Sequence, residues 1–197
     1  MRRLRPSWPV IAAALLAIAA VAGGLVYRHQ HRYKHFAVHD PGRVYRSAWV
    51  DADVVREIVE TYRIRTVVNL CFPGEMGETR WIEERRAVAE SGARLLELSM
   101  PELSDPTDPD YRPHIEALSN ADNFPMLIHC QHGVRRTAKL LLLYDVLNRG
   151  MSADRSLAQM PLFGRENHGD EVVAFARQLF PPRERLQDRE GFGLVNQ

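Results

Sequence analysis

The stretch PMLIHCQHGVRRT, residues 125–137, predicts a buried strand that runs directly into a helix. Its first part, residues 125–129, is short and mostly apolar, as in strands buried on both faces of a sheet. Cys130 follows, and Gly133 precedes two arginines. Cysteine is usually buried in proteins, whereas arginine usually is not. Their combination at the end of a strand therefore indicates a binding or catalytic loop rather than packing alone.

Strand-like and helix-like segments alternate around this stretch. The predicted strands are residues 44–48, 66–70, 94–98 and 125–129, and the predicted helices include residues 52–62, 78–91, 136–148 and 170–180. This alternation predicts an α/β fold with a mostly parallel sheet and helices on both faces. Apolar residues cover nearly all sides of the helix at 136–148, so we expect it to be central. Ligands of such sheets bind at the carboxyl ends of the strands, where residues 129–137 lie.

The charge balance and the cysteine content exclude two classes of protein. The 197 residues include 26 Lys and Arg against 25 Asp and Glu, a net charge of +1, which is not the basic composition of a nucleic-acid-binding protein. Cys71 and Cys130 are the two cysteines, too few for a disulfide scaffold. We therefore expect one packed domain with no nucleic-acid partner.

Residues 8–27, WPVIAAALLAIAAVAGGLVY, contain no charged side chain. As a helix they would span about 30 Å, the thickness of the hydrocarbon core of a bilayer. Trp8 and Tyr27 end the stretch, as aromatic residues do at membrane interfaces. We predict a single-pass N-terminal membrane anchor; the alternative is a cleaved signal peptide with residues 20–22 as its cleavage site. Basic residues lie on both sides of the stretch, so the side of the membrane that holds the following domain is left open.

The predicted organisation has several parts. They are a basic N-terminus (1–7), the anchor (8–27), a juxtamembrane linker (28–42), a folded domain (43–180) and a polar tail (181–197). The linker is basic and contains four histidines, but their spacing matches no standard pattern of metal ligands. Contact with anionic lipid headgroups is the favoured interpretation of the linker.

The loop after the strand has the features of an anion-binding site. A turn from a strand into a helix directs backbone N–H groups and the positive end of the helix dipole at one point. Gly133 permits the backbone angles of such a turn, and the planar guanidinium of Arg136 can bind two oxygens. The predicted phosphate-binding residues are Gln131, His132, Gly133, Val134, Arg135 and Arg136.

Cys130 lies at the base of this loop and is the predicted nucleophile. The positive potential that binds an anion also stabilises a thiolate. Thr137 can donate its hydroxyl to the sulfur, and we expect His129 to orient the loop through a backbone hydrogen bond. The alternative is that Cys130 is a small, inert, buried side chain.

The pattern at residues 129–137, His-Cys, five residues and Arg-Thr, resembles the signature loop of the cysteine-based protein tyrosine phosphatases. The size of the domain and the order of its strands resemble their compact dual-specificity branch. Within that branch, VYRSA at residues 44–48 and VVNL at residues 67–70 resemble the atypical dual-specificity phosphatases of bacteria, plants and fungi. The resemblance covers roughly residues 43–180, and the loop is its highly specific part.

The resemblance implies a phosphatase that uses no metal or other cofactor. Cys130 would attack the phosphorus of a phosphomonoester, a carboxylic acid would protonate the leaving oxygen, and water would hydrolyse the phosphocysteine intermediate. The acid should come from the loop before the cysteine, where Asp105 is favoured as the catalytic acid because it lies in the middle of that loop. Glu102 is the second candidate, because it directly follows the strand and a Met-Pro pair. Capping of the next helix is the alternative role of Asp105.

The substrate is left open by the resemblance. Phosphotyrosine, phosphoserine and phosphothreonine in proteins are the first candidates, and a small phosphoester is the next. Arg135 and His132 add positive charge that would suit an inositol phosphate or a phosphoinositide, unless Arg135 is a solvated surface residue. A non-catalytic phospho-binding pseudophosphatase is the alternative of another class; because Cys130, Arg136 and Thr137 are all present, the enzyme is favoured.

Cys71 is predicted to lie at the same edge of the sheet as Cys130. A reversible disulfide between the two would protect the nucleophile from over-oxidation. An inert buried thiol is the favoured interpretation of Cys71.

Overall fold

The computed structural model describes residues 8–103, 111–160 and 169–179. In these ranges the helices are α1 (Trp8–Tyr33), α2 (Ala52–Tyr62), α3 (Glu78–Glu90), α4 (Arg112–Ser119), α5 (Arg135–Arg149), α6 (Ala153–Gln159) and α7 (Gly169–Leu179). The strands are β1 (Ala37–Asp40), β2 (Val44–Ala48), β3 (Thr66–Asn69), β4 (Arg94–Glu97) and β5 (Met126–Cys130). Residues 1–7, the tail at 181–197 and Asp105 lie outside the described residues.

β5 is the middle strand of the sheet, whose order is β1-β2-β5-β3-β4. β2 and β3 flank it in parallel, so that Ala48 pairs with Cys130 and Asn69 pairs with His129. β4 continues the parallel part beyond β3, and β1 is antiparallel to β2. The predicted mostly parallel sheet is confirmed, and each of the four predicted strands begins and ends within one residue of its observed bounds.

Helices cover both faces of the sheet, as predicted. The side chains of β5 alternate between the faces: Leu127 packs in the core that includes α2, whereas Met126 and Ile128 pack in the core that includes α5. α5 contacts α4, α6, α7 and β5, and all of its residues from Arg136 to Asp145 are buried. A helix that is apolar on all sides is stable when other elements surround it. The predicted central position of α5 is confirmed.

The segment after the apolar stretch is part of the folded domain. α1 continues beyond that stretch, and Arg32 near its end pairs with Glu57 of α2 at 2.8 Å. Phe36 packs against Tyr62, with ring centroids 5.1 Å apart. β1 follows; the sequence did not predict it, because AVHD is a very short run with two polar residues. Residues 28–42 therefore contact both α2 and the sheet.

α1 is long and apolar enough to cross a membrane, by length and composition. Its segment Ile11–Tyr33 contains a window of mean hydropathy 1.9, and none of that window is buried against the domain. Signal sequences have the same properties. Both interpretations of the N-terminal stretch are therefore compatible with α1.

Candidate active site

The predicted phosphate loop connects the end of β5 to the start of α5, at the carboxyl edge of the central strands. Backbone hydrogen bonds hold it from both sides: Trp49 N–H donates to the carbonyl of Gln131 at 3.2 Å, and Leu70 N–H donates to the carbonyl of His129 at 3.0 Å. Val134 is the N-cap residue of α5 and is buried. The predicted binding residues 131–136 therefore surround the amino end of a long central helix, where an anion is stabilised.

Gly133 is the point of closest approach between the loop and β2. Its φ is +66°, and a Cβ at this position would lie 2.4 Å from the carbonyl oxygen of Ser47 and 2.5 Å from the nitrogen of Ala48. Both neighbours are backbone atoms of the sheet and have little freedom to move. The conformation and the space together require glycine here.

Cys130 is buried at the end of β5. The hydroxyl of Thr137, in the first turn of α5, donates to the Cys130 sulfur at 3.2 Å. A hydrogen bond from a hydroxyl stabilises a thiolate relative to a thiol. The hydroxyl of Thr137 and the sulfur of Cys130 are therefore in contact, and their catalytic roles stay predictions.

Arg46 is a site residue that the sequence analysis missed. It lies in the middle of β2 and is fully buried, and its Nη2 donates to the carbonyl of Gly133 at 2.6 Å. Burial lowers the pKa of Arg46 to about 10, while the charge of Cys130 acts in the opposite direction. Arg46 thus adds positive charge beneath the loop. An arginine within an otherwise apolar, buried strand was the signal in the sequence.

Arg136 is held in place by Glu75, which the sequence analysis also missed. Nη1 of Arg136 donates to Oε2 of Glu75 at 2.8 Å, and Nη2 donates to the other carboxylate oxygen. The side chain of Arg136 is only 5% exposed. Its hydrogen bonds to Glu75 hold the pKa of that carboxyl below its ordinary value, against the opposite effect of burial. Burial alone would lower the pKa of Arg136, but the hydrogen bonds to Glu75 and the negative charge of Cys130 outweigh burial and raise it.

Of the two predicted acids, Glu102 lies beside the loop. Its carboxylate is 3.2 Å from Nη1 of Arg135 and 3.6 Å from Nη2 of Arg136. Lys139 of α5 donates to the backbone carbonyl of Glu102, which holds this residue near the start of α5. Asp105 is outside the described residues, so its predicted role stays a prediction.

Arg135 and His132 both lie at the rim of the site. Arg135 is paired with Glu102 and also with Glu171 of α7, at 3.6 Å. Ion pairs on two sides balance the charge of Arg135 within the protein. His132 is exposed, and its carbonyl oxygen lies 2.8 Å from Nδ1 of His35.

His129 contacts a carboxylate rather than a backbone group. Its Nε2 lies 3.0 Å from Oε1 of Glu84, and Asn69 donates to Oε2 of Glu84 at 2.7 Å. The ring is buried against Trp49. Neither ring nitrogen of His129 makes a hydrogen bond among the described residues, so the expectation that His129 orients the loop through a backbone hydrogen bond is wrong.

Cys71 and Cys130 are both free and buried. Burial raises the pKa of Cys71 to about 12, and the carboxylate of Glu75 acts in the same direction. A thiol with so high a pKa is a weak nucleophile. This agrees with an inert Cys71, and the disulfide hypothesis stays a prediction.

Comparison with known proteins places the fold among phosphatases. The sequence model of a family described as "DSP-PTPase phosphatase fused to NAD+ Kinase" matches residues 25–178. No curated protein matches the chain.

Two solved phosphatase structures illustrate the similarity. TpbA from P. aeruginosa, solved in complex with pTyr, is 20% identical with a TM-score of 0.56, over 82% of this chain and 98% of TpbA. The core catalytic domain of the PP-IP phosphatase SIW14 from S. cerevisiae is 18% identical with a TM-score of 0.56, over 82% of this chain and 96% of SIW14. At these identities the likeness concerns the fold.

We expect Gly133→Ala to lower kcat/KM for an aryl phosphate at least about 100-fold, because the loop amides would move away from the phosphate. The matched control is Gly92→Ala, since Gly92 also has a positive φ, of 73°, but open space at the Cβ position. The control should lose about 1 kcal/mol of stability through backbone strain and keep its kinetic constants. Steady-state kinetics and urea unfolding measure both effects. Equal kinetics in the two variants would contradict the requirement for glycine at 133.

We expect Glu75→Gln to lower kcat/KM for an aryl phosphate about tenfold, because an amide removes the charge that orients Arg136. Glu60→Gln, an exposed residue of α2, is the control and should behave as the wild type. The measurement is steady-state kinetics, with KM and kcat reported separately. A rise of kcat/KM in Glu75→Gln would show that Glu75 competes with the phosphate for Arg136 instead of positioning it.

Proposed function

The chain belongs to the DSP-PTPase phosphatase family whose model matches residues 25–178, and on that premise we propose that it is a membrane-anchored, cysteine-dependent phosphatase that forms a phosphocysteine intermediate. One observation carries the proposal. The sulfur of Cys130 receives a hydrogen bond from Thr137 at 3.2 Å, at the amino end of α5, with Arg136 at the start of that helix.

In the first step, the thiolate of Cys130 attacks the phosphorus of a phosphomonoester. The S–P bond forms while the bond from phosphorus to the ester oxygen breaks, and a carboxylic acid gives its proton to that oxygen. The N–H groups of the loop and the guanidinium of Arg136 hold the three non-bridging oxygens, which lie in the equatorial plane of the transition state. Glu75 takes no part in bond changes and acts as a positioning residue for Arg136.

In the second step, water attacks the phosphorus of the phosphocysteine. The S–P bond breaks, the electron pair returns to the sulfur, and inorganic phosphate leaves. The carboxylate formed in the first step accepts the proton of the water. The hydrogen bond from Thr137 stabilises the departing thiolate, as does the positive charge of Arg46.

The membrane anchor is supported by the properties of α1. Its apolar window is unburied, and a long apolar helix in contact with water is unfavourable. A bilayer would cover it. We accordingly propose a single-pass N-terminal anchor.

A pseudophosphatase is the competing function from another class. Phospho-binding modules of this kind lack one of the groups that the chemistry needs. Here the nucleophile, the arginine and the hydroxyl are present in the sequence, and the described residues bring them to one loop. These observations support catalysis.

The substrate class follows from what lies around the loop. Phosphorylated residues of proteins were the first candidates from the sequence, with inositol phosphates or phosphoinositides second. The two relatives differ here, since TpbA was solved with pTyr and SIW14 is described as a PP-IP phosphatase. His29, His31, Lys34 and His35, which follow the apolar stretch, lie near Gln131 and His132 of the loop, and this basic surface favours a substrate with more than one phosphate.

We expect Cys130→Ser to lower hydrolysis of an aryl phosphate at least about 1,000-fold, because a serine hydroxyl stays protonated where a thiolate would form. Cys71→Ala, which removes the other thiol, should retain most of the activity. Acid-quenched reactions with labelled substrate should trap label on the wild type and none on Cys130→Ser. Equal hydrolysis by the two variants would refute the mechanism.

We expect Asp105→Ala to lower kcat for an alkyl phosphate about 100-fold. The loss for a nitrophenyl phosphate should be much smaller, because that leaving group departs without a proton. Glu102→Ala is the paired variant and should show no such dependence on the leaving group. The opposite pattern would make Glu102 the acid, and equal losses on both substrates in both variants would rule out both residues.

A further inference from the structure

A cavity of about 710 Å³ lies between the end of α1 and the phosphate loop. Gln131 and His132 of the loop form one wall, and residues between Tyr27 and Phe36 form the other. Its volume is within the range of ligand pockets, which is about 300–1,000 Å³. The two steps of phosphate hydrolysis described above do not use it.

The polar lining of this cavity is basic. Its ammonium and imidazole groups come from His29, His31, Lys34, His35 and His132, and no carboxylate of the described residues lines it. Lysine and histidine N–H groups donate hydrogen bonds to phosphate oxygens. A basic cavity beside a phosphate-binding loop suits a substrate that carries a second phosphate.

The charge of Lys34 is only partly balanced by the protein. Its Nζ lies 3.7 Å from the carboxylate of Asp51, which is 67% exposed. The same carboxylate oxygen accepts a closer hydrogen bond from Arg80, at 2.6 Å. Asp51 therefore competes weakly with an incoming anion for Lys34.

The backbone fixes this basic segment against the loop. Lys34 and His35 have φ angles of 33° and 62°, which are unfavourable for residues with a Cβ and often occur at functional sites. The carbonyl of Lys34 accepts a hydrogen bond from Ala48 N–H at 2.7 Å. Nδ1 of His35 lies 2.8 Å from the carbonyl oxygen of His132, so Nδ1 is the donor. The basic segment is thus joined to the end of β2 at Ala48 and to the loop at His132.

We propose that the cavity is a second-phosphate subsite, in which Lys34, His29 and His31 bind a further phosphate of a phosphorylated polyol while Cys130 attacks the first. The inference rests on the proposed function, because the first phosphate must occupy the loop. The substrate class is an inositol with at least two phosphates, either as a lipid headgroup or in soluble form. The cavity adjoins the end of the apolar helix α1, which favours the headgroup.

The test compares substrates with one phosphate and with several, using the full-length chain reconstituted into phosphatidylcholine vesicles. The variants are Lys34→Gln, the triple variant His29→Gln/His31→Gln/Lys34→Gln and the control Arg86→Gln, which removes an exposed cation of α3. The substrates are an aryl phosphate, a soluble inositol trisphosphate, phosphatidylinositol bisphosphate in phosphatidylcholine vesicles, and an acidic phosphotyrosine peptide. Hydrolysis of the aryl phosphate also reports whether each variant is folded.

We expect the ratio of kcat/KM for the trisphosphate to that for the aryl phosphate to fall at least about tenfold in the triple variant. It should fall less in Lys34→Gln and stay at the wild-type value in Arg86→Gln. A fall with the vesicles as well as the trisphosphate supports recognition of the polyol phosphates themselves, and a fall with the vesicles alone supports recognition of the headgroup at a bilayer.

Other outcomes overturn the inference and are distinct from failure of the proposed function. Ratios that are unchanged in the triple variant for both the trisphosphate and the vesicles, with intact hydrolysis of the aryl phosphate, refute the subsite alone. An equal or larger loss with the peptide shows a peptide-binding surface instead. Absence of aryl phosphate hydrolysis by the wild type would refute the phosphatase function itself.

Discussion

The close contact between Gly133 and the end of β2 is the constraint on which the site depends. It brings the backbone of the phosphate loop onto the backbone of Ala48, with no room for a side chain. Because the two backbones are so close, Arg46 of β2 can donate a hydrogen bond to the carbonyl of Gly133. The loop therefore has one position relative to the sheet, and that position fixes Cys130 and the first turn of α5.

Two buried arginines serve this loop in different ways. Arg136 points its guanidinium at Glu75, so its direction is set by a carboxylate. Arg46 lies under the loop, where burial lowers its pKa to about 10. Burial of a cation is unfavourable unless negative charge lies nearby. A thiolate on Cys130, or a phosphate bound next to it, provides such charge. The guanidinium of Arg46 and this negative charge therefore stabilise each other.

The strands, the central helix and the phosphate loop could be predicted from sequence because each depends on local patterns. Apolar runs mark β3 and β5, and the position of Cys130 follows from the strand that precedes it. Glu75 was missed because its role comes from contact with Arg136, far away in the chain. β1 was missed because a short, half-polar strand has no distinct periodicity. The choice between the two acids stayed open because spacing along a loop does not determine distance in space.

The continuity of α1 with the turn at Lys34 has a mechanical consequence. Residues 28–33 are helical, and Arg32 is paired with α2. The apolar stretch is therefore connected to the domain by a continuous helix and not by a flexible linker. With α1 inserted in a bilayer, the segment at Lys34 beside the phosphate loop would stay at a fixed distance from the membrane, about 10 Å from the end of the apolar stretch. Such an enzyme would reach only substrates at that distance from the membrane surface. Its rate of encounter with a lipid-bound substrate would depend on diffusion in two dimensions.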